Sequence, residues 1–144
     1  MSAPGHRPLA ALLCAPLLAV GFAACASTST TGQFKGEAHA VAQTISNLQA
    51  DASGRDEQKI CADDLASSVV RRLESAKGGC KQALKNQLEE VDNFELTVEE
   101  VHLSGSAAHP TASASVKNLN SGKTRLSTIS LVKEAGRWKV SSIP

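Results

Sequence analysis

The sequence predicts an α+β fold, with N-terminal helices packed on a curved four-stranded antiparallel sheet. Three observations predict it. In the first half of the chain, after a hydrophobic leader, apolar residues recur at spacings of three and four, as on one face of a helix. From Phe94 onward apolar and polar residues alternate, as on half-buried strands. The alternating runs are separated by turns of only a few residues, and strands so joined form an antiparallel meander.

The chain opens on an address. Met1 to Ala24 carries one permanently charged side chain, Arg7, and no acid, and Leu9 to Ala24 (LAALLCAPLLAVGFAA) is apolar with small residues at its end. This is the layout of a secretory signal peptide, too short and too interrupted at Pro16 for a span of roughly 20 apolar residues. Phe22-Ala23-Ala24-Cys25 resembles the bacterial lipobox, with Phe22 where Leu is usual. The resemblance implies cleavage before Cys25 and diacylglycerol on its sulfur, since a thiol can carry a thioether lipid. Plain secretion, with Cys25 incidental, is the alternative. Residues 25–33 then read as the lipidated Cys and a flexible tether, ASTSTTG being small and polar. Residues 34–144 form one domain. Cys14 lies inside the leader.

Ala38, Val41, Ile45, Leu48 and Ala52 share one face of a helix from Gly36 to about Ala52. Ser53-Gly54 ends it, because Gly tolerates the left-handed conformation. Asp56 suits the N-cap of a second helix carrying Ile60, Cys61 and Leu65. Ser67 or Ser68 caps a third, with Val69, Val70, Leu73 and Ala76 inward, and Gly78-Gly79 stops it. A fourth runs from Cys80 to Val91, with Leu84 and Leu88 on the face of Cys80.

Export bears on Cys61 and Cys80, because thiols outside the cytoplasm oxidise. One straight helix from Cys61 to Lys77 would span roughly 24 Å. The three residues after it recover about 10 Å, and a disulfide needs Cα atoms within about 7 Å. Either the two do not pair or the chain folds back between them; Ser67-Ser68 is the natural place for that reversal, and a Cys61–Cys80 bridge is expected. A redox pair or a metal site fits less well, with no CxxC spacing and no His nearby.

In the second half Phe94, Leu96 and Val98 share a face, and Val101 and Leu103 continue with the phase shifted by one, which a bulge at Glu99-Glu100 explains. Ser104-Gly105-Ser106 is a turn. Ala112, Ala114 and Val116 mark the second strand, whose start is disturbed by His109-Pro110 and is therefore expected at an edge or bulge. Asn118 to Gly122 turns the chain into a third strand, Thr124 to Lys133. Glu134-Ala135-Gly136 connects to the last, Arg137 to Ile143, with Trp138 and Val140 on one face.

Three segments carry a resemblance to the nuclear transport factor 2-like superfamily, in its SnoaL-like branch, and more closely to small exported actinobacterial lipoproteins with this domain. They are Ile60-Cys61-Ala62-Asp63-Asp64-Leu65 with Gly78-Gly79-Cys80, then Phe94-Glu95-Leu96-Thr97-Val98, then Leu131-Val132-Lys133-Glu134 with Gly136-Arg137-Trp138-Lys139-Val140. Where relatives carry Pro after the second helix, this chain has Ser68. The resemblance implies a cone-like, cystatin-like layout with a pocket at its mouth. From the sheet, Phe94, Leu96, Val98, Leu126, Ile129, Leu131 and Trp138 are the candidate pocket lining; the bland reading is that they simply fill the core.

Composition narrows the function. There are 15 Lys+Arg against 14 Asp+Glu, and loss of Arg7 with the leader leaves 14 of each. No basic patch and few aromatics argue against a nucleic-acid partner. The membrane is reached through lipid on Cys25, on the extracytoplasmic face of the cell membrane. Superfamily enzymes related to ketosteroid isomerase use Tyr and carboxyl groups, and Tyr is absent here. Asp92, Glu95, Glu99 and Glu100 cluster around the first strand and read as a solvated edge. His39, His102 and His109 show no orienting partner. No nucleophile elbow, phosphate loop or zinc motif occurs, and no cofactor or metal is expected. The expected function is non-enzymatic binding of a small apolar ligand or an envelope protein. The alternative is a pocket-bearing isomerase or hydrolase, which an inward carboxylate–His pair would favour.

Overall fold

The computed structural model describes residues 30–91, 94–120 and 123–143. Cys25, the leader and most of the tether lie outside them, as do Asp92-Asn93, Ser121-Gly122 and Pro144. Among the described residues no helix is long and apolar enough to cross a membrane.

A 3-10 turn at Thr30–Gln33 leads into α1, Gly36–Ser53. Val41, Ala42, Ile45, Leu48 and Ala52 are buried along it, as their spacing requires. The helix ends where expected but by a different residue. Gly54 keeps right-handed geometry (φ −77°), and Arg55 takes the left-handed one (φ 54°). The Asp56 amide then closes back on the Asp51 carbonyl at 2.9 Å.

Asp56 caps the next helix, its carboxylate accepting from the Lys59 amide at 3.0 Å. That helix, α2 (Glu57–Lys59), widens at once into a π-helical turn, Ile60–Asp64. The reversal follows at Leu65-Ala66, ahead of Ser67-Ser68. Both residues are extended there, and Ala66 N–H donates to the Val140 carbonyl at 2.8 Å. A strand-like bridge between Leu65 and Val140 covers the outer edge of the last strand.

In α3, Ser67–Glu74, no side chain of its own sequence caps the start. Glu134, from the sheet, fills that role: it accepts from the Ser67 amide at 3.1 Å and from the Ser67 hydroxyl at 2.6 Å, which holds its carboxyl below the usual range. Val69, Val70 and Leu73 are half-buried, whereas Ala76 lies beyond the helix and is exposed. Gly78 and Gly79 both have positive φ (90° and 72°), a pairing that favours glycine at each position. The helix α4, Gly79–Glu89, buries Cys80.

The two cysteines are joined, with Cα atoms 6.3 Å apart. The bridge ties the π-helical turn to the first turn of α4 across 19 residues of sequence. Opening it is expected to cost about 3 kcal/mol, the closure entropy of a loop of that size. Melting with and without reductant, and of Cys61→Ser, measures this; equal midpoints would refute a structural role.

The sheet is a meander in the order β1-β2-β3-β4 (Glu95–Gly105, Pro110–Asn120, Lys123–Glu134, Arg137–Ser142). The register between β1 and β2 slips between Val98 and Glu100, at the expected bulge. Pro110 corrects the expectation of an edge. It is the first residue of β2, a central strand, and pairs with Gly105 beside the hairpin, so no interior ladder bond is lost. Glu134 and Arg137 pair across the two-residue turn Ala135-Gly136, both with positive φ (48° and 78°).

The helices cover one face of this sheet. Ala112, Ala114, Val116, Ile129, Leu131 and Val140 point into the core with Val41, Ile45, Leu48 and Ile60. On β2 the alternating partners Ser113, Ser115 and Lys117 point the other way. Side-chain amides guard the edge of β1: Gln33 donates to the Val98 carbonyl (3.2 Å), and Gln49 accepts from the Leu96 amide (2.8 Å). The α+β layout of helices on one face of a four-stranded antiparallel sheet is thus as expected.

Candidate functional site

The seven residues of the expected pocket do not form one. Val98, Ile129 and Leu131 are at most 3% exposed and belong to the packed core, with Phe94 and Leu96 half-buried against it. Leu126 is on the opposite face and 70% exposed. The reason is parity. The register of β2 with β3 is unbroken from Thr111–Val132 to Asn120–Lys123, so residues 129 and 131 point inward and 126 points out. Trp138 alone of the seven borders a described cleft.

That cleft, of about 520 Å³, opens between α1, the π-helical turn and the β3–β4 hairpin. Charged side chains line much of it, beside Ala40 and the Trp138 ring. On the hairpin side Glu37 accepts from Lys133 Nζ at 2.7 Å and from the Trp138 indole N–H at 2.7 Å. These two donors, Lys133 first, hold the Glu37 carboxyl below its usual range. Lys133 Nζ also lies 5.7 Å from the centre of the Trp138 ring. Farther along, Arg137 meets Asp63 at 2.9 Å.

The floor holds two buried acids. Asp51 is 8% exposed and Asp64 4%. Asp51 Oδ1 accepts from Lys59 Nζ at 2.8 Å; the Oδ2 atoms of Asp51 and Asp64 are sealed from solvent and, while both groups are ionised, have no partner among the described residues. The Asp64 carboxyl is pushed up to about 7, first by burial, then by the negative charge of Asp51 and a hydrogen bond between the two side chains. Two carboxyl groups can hydrogen-bond only if one keeps its proton. Asp64 therefore donates to Asp51 below neutrality, and Lys59 and Lys139 only partly offset its rise.

Lys139 is 7% exposed, although it alternates with the inward Trp138 and Val140. Its amine donates to the carbonyl oxygens of Ala62 and Asp63, at the end of the π-helical turn. Burial, followed by the nearby Arg137, lowers its basicity. Lys139 and the disulfide thus grip the segment that presents Asp63 and Asp64.

Reasoning that weighs only the acids of the sheet half misses this pair. The signal lay in the helical half: Asp51 follows Leu48 by three residues and Asp64 follows Ile60 by four, which places each acid on its helix's apolar face. The other candidates sit on the surface. Glu95, Glu99 and Glu100 are exposed, Glu99 facing Lys117 (3.0 Å) and Glu100 facing His102 (3.1 Å). His39 and His109 are exposed too, with His39 Nδ1 3.0 Å from the Thr31 carbonyl oxygen. The described residues contain no cluster of three His, Cys, Asp or Glu that could hold a metal ion.

A second groove, about 330 Å³, runs between α3, α4 and β4. Its lining is apolar, chiefly Leu65, Val69, Leu73, Leu84 and Ile143.

No protein family and no curated protein matches the chain. Among solved structures, a designed nuclear transport factor 2-like protein is similar at 17% identity, with a TM-score of 0.46, over 74% of this chain and 96% of its own.

Proposed function

We propose that this is an exported, lipid-anchored binding domain of the cell envelope, non-enzymatic, whose ligand enters the polar cleft between α1, the π-helical turn and the β3–β4 hairpin. The observation that carries the reading is the cleft itself, about 520 Å³, which Glu37, Lys59, Asp63, Lys133 and Arg137 line with charge. The cleft replaces the apolar cone as the ligand site, because the inward face of the sheet is filled by the helices. A polar ligand is favoured over an apolar one, since an apolar group over Glu37, Lys59, Asp63, Lys133 and Arg137 would strip these charges of water.

The membrane part of the reading rests on the leader and on Phe22-Ala23-Ala24-Cys25. Two or more acyl chains on one cysteine anchor stably, whereas one binds reversibly. Cys25→Ser is expected to move the protein from the membrane to the soluble fraction, and unchanged membrane retention would refute lipidation.

Intact and native mass spectra of the protein extracted from its own membrane test both halves. The expected result is a diacylated Cys25, two hydrogens fewer than the dithiol, and a non-covalent mass that is lost in Asp64→Asn. A protein that starts near Ser27 without lipid overturns the anchor. A second reading, acid–base catalysis, is favoured by an Asp64 that titrates near neutral pH. Its sign would be a bound compound that wild type turns over and Asp64→Asn holds unchanged.

A further inference from the structure

The sheet has a long edge that no strand among the described residues covers. β4 pairs with β3 only from Ser130 to Glu134, so residues 123–129 have no strand beside them on that side. Parity gives the backbone groups that face the gap. On β1 the Leu96 amide and the Val98 carbonyl point to the outer edge, where Gln49 and Gln33 meet them. Across the paired registers, Arg125, Ser127 and Ile129 therefore turn their N–H and C=O groups to β2, and Thr124, Leu126 and Thr128 turn theirs to the gap. The latter three are exposed, and none has a backbone hydrogen bond to another element among the described residues. Elsewhere the fold guards its edges: Leu65 and Ala66 lie along β4, and the two glutamines lie along β1.

Side-chain chemistry selects the occupant. Leu126, 70% exposed, projects from the face away from the helices. Lys123 and Arg125 alternate with it on the other face, and neither has an acid at ion-pair distance among the described residues. The hairpin from Pro110 to Val132 contains no acid, and its third base, Lys117, is engaged by Glu99. Bases on an open edge oppose pairing with a second copy, because each copy brings the same charges. They favour a strand that carries acids. The part of β1 beyond its bulge lacks this signal, since its flanking charges, Glu100 and His102, already face each other at 3.1 Å. We propose that residues 124–128 receive an extended acidic segment of a partner protein, which adds to the four-stranded sheet as a fifth strand antiparallel to β3. The free groups of Thr124, Leu126 and Thr128 supply affinity, and the side chains supply register. Along the partner the pattern is an apolar residue opposite Leu126, an acid opposite Arg125, any residue opposite Thr124 and an acid opposite Lys123. This surface is separate from the cleft, which borders β3 at Lys133, near the other end of the strand.

The test is a titration of the full chain in neutral detergent, read by amide NMR shifts and hydrogen exchange. The probes are two blocked peptides of equal length, one alternating valine with glutamate and one alternating valine with lysine. The glutamate peptide is expected to shift the Thr124, Leu126 and Thr128 amides saturably and to slow their exchange; the lysine peptide is not. Arg125→Glu should weaken the glutamate peptide about tenfold, because an attractive cross-strand pair becomes a repelling one, and should gain binding of the lysine peptide. Leu126→Pro removes the central free N–H without breaking a bond to β2 and should abolish binding, with its melting curve showing that it is folded. Equal binding of the two peptides, or an Arg125→Glu variant that binds both as wild type does, overturns the acidic partner. Shifts without slowed exchange show ion pairing alone and overturn the added strand. Protection of the same three amides in the free protein, with a dimer by light scattering, gives the edge to a second copy and overturns the proposal. Silence towards both peptides overturns it as well.

Discussion

Trp138→Ala is expected to destabilise the protein by about 3–5 kcal/mol, the usual cost of emptying a large aromatic from a core. Trp138 is 6% exposed and packs in the same cluster as Val41, Leu131 and Val140. It also joins two layers. Its indole N–H donates to Glu37 at the start of α1, and Glu37 holds Lys133 on the neighbouring strand. Removing the ring therefore opens a cavity and frees a carboxylate from a donor at one wall of the cleft. Trp138→Phe separates the two effects. It keeps most of the apolar volume and loses only the indole donor, and should cost less than half as much as Ala. Urea unfolding of the two variants measures the difference. A near-neutral Trp138→Ala would show that the residue does not carry the core.

Much of this architecture was legible because it follows from local rules. The stripe from Val41 to Ala52, the phase slip at Glu99-Glu100 and the alternation of Ala with Ser on β2 each determine a face without any knowledge of the partner layer. The fold-back between Cys61 and Cys80 was legible too, since a straight helix could not bring them within bonding distance. What fails is what depends on a distant partner. Glu134 as the cap of α3 is 67 residues from Ser67. The reversal falls at Leu65-Ala66 rather than Ser67-Ser68 because Val140 takes those residues as a strand-like neighbour. Lys139 alternates outward on β4 and is nevertheless buried, because the π-helical turn lies over it and offers two carbonyl groups.

The site was the least legible part, for the same reason. Leu126 could have been excluded on parity with Ile129 and Leu131. The polar cleft could not have been drawn from the sheet, because its floor comes from α1 and the π-helical turn. An acid on an apolar face is the mark that pattern reading passes over, since periodicity counts apolar residues and treats one polar residue as noise. Asp51 and Asp64 are two such marks, set 13 positions apart and brought together by the turn at Gly54-Arg55.

Asp64→Asn is expected to stabilise the protein above neutral pH by up to about 4 kcal/mol, and to change little at pH 4. The carboxyl of Asp64 ionises near pH 7 in the folded chain against an ordinary value of 3.8. Below pH 3.8 it is protonated in both folded and unfolded chains, and its burial carries no charge penalty. As the pH rises from 4 to 7 the unfolded chain gives up the proton and the folded one resists, so this group's contribution to stability is lost across that window. Moving the ionisation from 3.8 to about 7 corresponds to about 4 kcal/mol, an upper bound because the interaction with Asp51 spreads the titration over two groups. Asparagine stays neutral throughout and can donate to Asp51 in place of the lost proton. Glu37 and Glu134 act in the opposite sense: their lowered carboxyls contribute stability above about 4.5 that is lost as the pH falls. They cancel when wild type and Asp64→Asn are compared at each pH, which is why the difference between them is the quantity to measure. Urea unfolding at pH 4, 6 and 8 should give a difference that grows with pH, and a constant difference would show that Asp64 does not titrate in that range.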